Sequence, residues 1–192
     1  MKLSTLRVGD PPERWRALGF SVADDARLAL GGVTLQLGDT SEGITGWSLP
    51  AVDGLATCAE DHGPAPAEHP NGALALDHVV VATPDFDRTA AALDAAGLPL
   101  RRIRAAPGGF RRGFRRCGPA ILEVAEATQL PPGPARFWGL VPVVADLDAL
   151  RKRLGSALLS EPKPAVQPGR RIATVRPAAG LTCAMAFMTP DT

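Results

Sequence analysis

Short apolar runs separated by turn residues set the rhythm of this chain. Val79, Val80 and Val81 lie between Asp77-His78 and Thr83-Pro84-Asp85, which reads as a short buried strand. Pro84 ends it, because proline has no amide proton for a sheet ladder and pushes the preceding residue away from helix. Residues 86–97 are rich in Ala and Leu and close on Gly97, which predicts a helix with a glycine stop. Residues 98–105, 110–116 and 120–125 then read as strands, with turns at Pro107-Gly108-Gly109 and Gly118-Pro119. The order is β-α-β-β-β.

Both flanks repeat it. On the N-terminal side, residues 3–8 alternate as a strand and Gly9-Asp10-Pro11-Pro12 turns into a short helix over 13–18. Strands are predicted at Phe20-Ser21-Val22, at 27–30 and 33–37 around Gly31-Gly32, and at 44–49. On the C-terminal side, a strand over 138–144 precedes a helix over 149–154, and 157–159, 171–175 and 183–188 are further strands. Arg151, Lys152 and Arg153 suit the negative end of that helix. Between residues 53 and 71 Ala, Glu, Pro, His and Gly dominate, as in a linker, and 129–134 is a proline-stiffened connector. The predicted organisation is a βαβββ-like module at 1–55, a linker at 56–72, and modules at 73–128 and 135–192, a weak repeat of about 60 residues.

A net charge of +1 over 192 residues gives no global drive toward nucleic acid or membrane. No apolar run reaches about 18 residues, and residues 1–7 lack an apolar signal segment, so a cytoplasmic location and no membrane partner are expected. Cys58, Cys117 and Cys183 are odd in number and far apart, which suits reduced thiols. Arg115 and Arg116 would favour a Cys117 thiolate.

Few groups offer chemistry. His62 and His69, beside Asp61 and Glu68, carry metal-binding side chains, but in a solvated linker nothing fixes their geometry. His78 is the only histidine elsewhere, and Glu123 in Ile121-Leu122-Glu123-Val124 is a carboxylate it could meet. Strand period puts Phe110, Arg112, Phe114 and Arg116 on one face and Arg111, Gly113, Arg115 and Cys117 on the other. One such strand in a neutral chain is thin support for nucleic acid, which is not expected as a partner. A solvated face, or arginines holding an anionic group, are the other readings. Gln167-Pro168-Gly169-Arg170-Arg171 combines turn chemistry with directional donors, and Trp138 suits a core or cleft wall. No nucleophile elbow, phosphate-binding loop, dinucleotide fingerprint or HExxH zinc motif occurs.

Residues 80–87 match 142–148, with Asp85 over Asp146. Through "LDHVVVATPDFD", "AILEVAE" and "AMAFMTP", the chain resembles the vicinal oxygen chelate superfamily over residues 73–192, and loosely before that. This is the fold of glyoxalase I, bleomycin-resistance proteins and extradiol dioxygenases. The resemblance implies an α+β fold of repeated βαβββ modules whose curved mixed sheets surround a cleft. It also implies that metal-dependent members draw one ligand from the first strand and one from the last strand of each module. Those positions are His78 and Glu123 in the second unit, and Gly139 and about Ala186 in the third. Glycine and alanine offer no donor, so a divalent metal is not favoured and the cofactor is left open.

Two functions remain open. One is a glyoxalase-like enzyme, a lyase or a dioxygenase, acting on a small anionic metabolite. His78 and Glu123 would then be catalytic, as metal ligands or as acid and base, while Arg112, Arg116, Trp138, Gln167, Arg170 and Arg171 bind substrate. The other is a metal-free protein that sequesters a small molecule, as drug-resistance relatives do. The N-terminal unit is expected either to cap the cleft or to pair with its copy in a homodimer.

Overall fold

A computed structural model describes residues 1–38, 41–60, 63, 65–105 and 107–191. The N-terminal unit comprises β1 (Thr5–Val8), α1 (Pro12–Ala17), β2 (Arg27–Leu30), β3 (Val33–Leu37) and β4 (Ile44–Trp47). The second comprises β5 (Ala73–Thr83), α2 (Phe86–Ala95), β6 (Arg102–Ala105), β7 (Arg111–Cys117) and β8 (Ala120–Glu126). The third comprises β9 (Arg136–Val144), α3 (Leu147–Leu158), β10 (Lys163–Pro164), β11 (Arg171–Thr174) and β12 (Ala184–Met188). The fold is α+β, with βαβββ modules in curved mixed sheets.

The second and third units share one eight-stranded sheet, ordered β10-β11-β12-β9-β5-β8-β7-β6. In each, the first strand lies parallel to the last, as the intervening helix crossover requires, and the two first strands meet antiparallel at the centre. Asp85 and Asp146 cap equivalent helices, accepting from the N–H of Arg88 at 3.0 Å and of Ala149 at 2.9 Å. The offset between these aspartates also maps the central ladder onto itself: Leu76↔Pro142 becomes Phe137↔Val81, and His78↔Val141 becomes Gly139↔Val80. Val79↔Leu140 maps onto itself, so a pseudo-twofold axis passes through that pair.

Alternation then divides the sheet into two faces. Val79, Val81, Leu122, Val124, Leu140, Met185 and Phe187 enter the main core, against Phe86 and Leu93 of α2 and Leu147 and Leu150 of α3. Val80, Val141 and Met188 lie on the opposite, cleft face, where Ala165 of the β10–β11 hairpin packs over them. β5 is longer than its three valines suggest because, as a central strand, it is paired on both edges. α3 breaks at Gly155 (φ 75°, ψ 170°), and of the strand expected over 157–159 only a bridge from Leu159 to Val175 forms.

The N-terminal unit has the expected element order without the expected pairing. Its sheet is ordered β2-β3-β1-β4, with β1 parallel to β3 and antiparallel to β4. This matches β7-β8-β5-β9: β4 takes the place that a partner module's first strand would fill, and among the described residues no counterpart of β6 forms. Phe20-Ser21-Val22 forms no strand, because Phe20 turns inward against Trp15 (5.1 Å between ring centroids) and Phe187 (5.9 Å). Together with Trp47 against Phe137 (5.2 Å), these contacts seat the unit on the helix-covered face, so it does not cap the cleft.

The segment before β5 is also packed. His69, expected to be solvated, is buried: its Nδ1 accepts from the Ser21 N–H at 3.2 Å, so Nε2 carries the proton given to the Ala29 carbonyl at 2.8 Å. Burial holds its pKa below the ordinary value, against the opposing pull of the Ala29 bond. His62 and Asp61 lie outside the described residues. All three cysteines are free and buried. Burial raises the Cys117 thiol above its ordinary value and outweighs the opposing charge of Arg115, in keeping with the reading of reduced thiols. Among the described residues, no helix is long and apolar enough to cross a membrane.

Candidate functional site

His78 points to the cleft face with Val80, opposite Ile121 and Glu123 of β8. It is buried, 2% exposed, with the Phe114 ring edge-on at 6.3 Å between centroids. Strand register makes His78 and Glu123 diagonal neighbours on one face of the sheet. Neighbouring residues in a strand normally face opposite ways, yet Asp77 Oδ2 lies 2.5 Å from His78 Nδ1. A β-bulge accounts for this. Leu76 pairs with Pro142 and His78 with Val141, so Asp77 has no partner and its side chain turns alongside the histidine. The symmetry-related bulge on β9 leaves Trp138 unpaired and 55% exposed.

Asp77 is also held from the far side of the sheet. Arg170 donates from Nη1 to both its oxygens, at 3.0 and 3.2 Å, and from Nε to the Thr189 carbonyl at 2.8 Å. Asp191 Oδ1 forms an ion pair with Arg170 Nη1 at 3.2 Å. Burial pushes the Asp77 carboxyl up, but the hydrogen bond and charge of His78, and then those of Arg170, outweigh it and hold the group below its usual range. Neither Asp77 nor Asp191 stood out in the sequence; for Asp77 the one signal was its adjacency to His78.

Glu123 is buried, and its Oε1 accepts from Arg112 Nη1 at 2.6 Å. Register puts Arg102 and Arg104 of β6 and Arg112 and Arg116 of β7 on this face, above β8. Four arginines thus share strands β6–β8 of this face with Glu123, while the Asp77 carboxylate on β5 is held by Arg170. The opposite half is small and uncharged along Gly139, Ala184, Ala186 and Thr174, with Lys163 at its rim opposite Ile172. Arg171 points the other way and binds Asp148 of α3 at 2.6 and 3.0 Å, apart from His78 and Glu123. The Gln167 carbonyl accepts from the Arg170 N–H at 3.2 Å and closes the turn that presents Arg170.

A divalent metal does not fit this donor set. Ala184 lies opposite Gly139 just as Ile121 lies opposite His78, so Ala186 occupies the position equivalent to Glu123. Alanine supplies no ligand there. Position 139 is closed as well: a Cβ on it would sit 2.4 Å from the Ala184 carbonyl oxygen. His78 and Glu123 are themselves engaged, by Asp77 and Arg112. Among the described residues, no three His, Cys, Asp or Glu side chains gather in a way that could hold a metal ion.

Solved structures share the fold. The methylmalonyl-CoA epimerase of Mycobacterium tuberculosis superposes with a TM-score of 0.52 at 21% identity, over 63% of this chain and 91% of that one. A variant of the Streptomyces coelicolor methylmalonyl-CoA epimerase, in complex with 2-nitronate-propionyl-CoA, gives 0.47 at 20% identity, over 61% and 97%. No protein-family model and no curated protein matches the chain. Methylmalonyl-CoA epimerase is a member of the vicinal oxygen chelate superfamily, so the Mycobacterium structure supports the fold read from the resemblance. At this identity it says nothing of the substrate.

Proposed function

We propose that the chain binds a small anionic molecule in the cleft and does so without a divalent metal. The observation that carries this reading is the one-sided charge of the cleft: Arg102, Arg104, Arg112 and Arg116 gather on the β6–β8 half of a face where Glu123 is held by Arg112 and Asp77 by Arg170. A planar guanidinium suits a carboxylate or phosphate. Arg112 is 46% exposed while bound to Glu123, so it can reach a ligand without losing that anchor. Trp138 offers an apolar wall where the β9 bulge exposes it, and Gln167 helps to shape the hairpin over the floor. Of the two readings drawn from the sequence, metal-free binding is favoured, because the third-unit ligand positions are empty of donors and one is closed to any side chain.

The test is calorimetric titration with oxalate and inorganic phosphate at low salt, on wild type and on the Arg112→Ala/Arg116→Ala double variant. Saturable binding to wild type, weakened at least about tenfold in the double variant and by added salt, is expected. Equal binding in both proteins refutes the assignment. Plasma emission of protein purified without chelator covers the metal. About one zinc, nickel, manganese or iron per chain, lost in His78→Ala, would overturn the metal-free reading.

A further inference from the structure

We propose that the outer edge of β6 is a docking site for an extended acidic segment of another protein, which adds to the eight-stranded sheet as one further strand. The segment it fits alternates carboxylate and apolar side chains.

β6 closes one end of the sheet, and among the described residues nothing pairs with its outer edge. Such an edge presents a row of unpaired N–H and C=O groups, which proteins blunt with very short strands, proline, bulges or charge. The opposite end of this sheet is blunted by its backbone: β10 is two residues long, and one of them is Pro164, which has no amide proton. β6 relies on charge alone. Arg102-Ile103-Arg104-Ala105 pairs with β7 in unbroken register, holds no glycine or proline, and is exposed at all four positions.

The side chains select the partner. Alternation puts Arg102 and Arg104 on the cleft face and Ile103 on the other. Neither arginine has a hydrogen-bond or ion-pair partner for its side chain among the described residues, whereas Arg111 and Arg112 of β7 are bound to Glu126 and Glu123. Ile103 is 55% exposed, an apolar contact left uncovered at the rim. A second copy of this edge does not suit it. Antiparallel pairing centred on Ile103 would set Arg102 of one copy against Arg104 of the other, and like charges directly opposite destabilise a sheet. An incoming strand with carboxylates beside the two arginines and an apolar side chain beside Ile103 matches both faces at once. Its backbone hydrogen bonds supply affinity and its alternation supplies selectivity. The proposal stands apart from small-anion binding in the cleft, since it needs neither Arg112 nor Arg116.

Fluorescence anisotropy of a dye-labelled, end-blocked peptide of alternating Glu and Val tests it at low salt. Wild type should bind the peptide saturably. Arg102→Glu/Arg104→Glu should bind it about tenfold or more weaker and should gain affinity for the Lys and Val counterpart, an exchange that misfolding cannot produce. N-methylation of alternate peptide residues separates strand addition from charge attraction. Methyl groups on the set that faces β6 should abolish binding, and those on the other set should leave it nearly unchanged. Equal effects from both sets, or no saturable binding by wild type, overturn the added strand. Binding that persists in Arg102→Glu/Arg104→Glu but falls in Arg112→Ala/Arg116→Ala places the peptide in the cleft and overturns it as well. So does a wild-type preference for single-stranded RNA of equal charge.

Discussion

Gly139→Ala adds one methyl group where β9 and β12 lie closest. The new Cβ would stand 2.4 Å from the Ala184 carbonyl oxygen and 3.0 Å from both the Ala184 carbonyl carbon and its Cβ, whereas ordinary contact begins near 3.4 Å. The obstructing atoms are mostly backbone, so β12 must withdraw by about an ångström at its pairing with Gly139. Overpacking of this kind costs about 1–3 kcal/mol, and weakening one or two ladder hydrogen bonds adds about 1 kcal/mol. The sum is a loss of about 2–4 kcal/mol. Urea unfolding followed by tryptophan fluorescence measures it, provided the m-value is unchanged. Amide exchange at Met185 and Phe187, which β12 buries in the core, should quicken as well. Ala186→Glu is the internal control, because that side chain is only half-buried on the cleft face, and it should cost under about 1 kcal/mol. Gly139→Ala unfolding within about 0.5 kcal/mol of wild type would refute the steric argument. It would also reopen position 139 to a metal ligand.

Arg170→Met should cost about 3–4 kcal/mol, because it strips Asp77 of a buried partner and the Thr189 carbonyl of its donor; a loss under about 1 kcal/mol in the same urea assay would show that water already screens the pair. His69 should make stability pH-dependent. Its folded pKa lies below the unfolded value of about 6.5, so the unfolded chain takes up the proton first as pH falls. Stability is then full above that value, declines as pH drops toward the depressed folded pKa, and levels off below it. His69→Asn should flatten this slope, and an unchanged slope would refute the assignment.

Much of the fold was legible because it rests on local signals. Pro84 and Gly97 bounded a strand and a helix, and the match of Asp85 with Asp146 aligned the second and third units before any sheet was seen. The face shared by Arg112, Phe114 and Arg116 followed from strand period alone. What escaped was pairing between distant segments. β-α-β-β-β order cannot tell whether a first strand pairs with the third strand or the fourth, which is where the N-terminal unit departs. The bulge at Asp77 depends on the register of β5 against β9 and has no local sequence marker, so the Asp77 contact was invisible. Arg170 and Arg171 looked interchangeable in sequence, yet one reaches the cleft and the other binds Asp148 of α3. His69 looked solvated because Pro and Ala surround it, while its partners come from Ser21 and Ala29.

The axis through Val79 and Leu140 bears on stoichiometry. A backbone so nearly symmetric provides two equivalent seats in one cleft, and with matching walls a ligand would fit either way round, or twice. Here one seat carries His78, Glu123 and the arginines, while its mirror carries Gly139 and Ala186. On the anion-binding reading proposed above, occupancy would therefore be one ligand per chain and of fixed polarity, with the anionic end toward β7 and the uncharged end over β12.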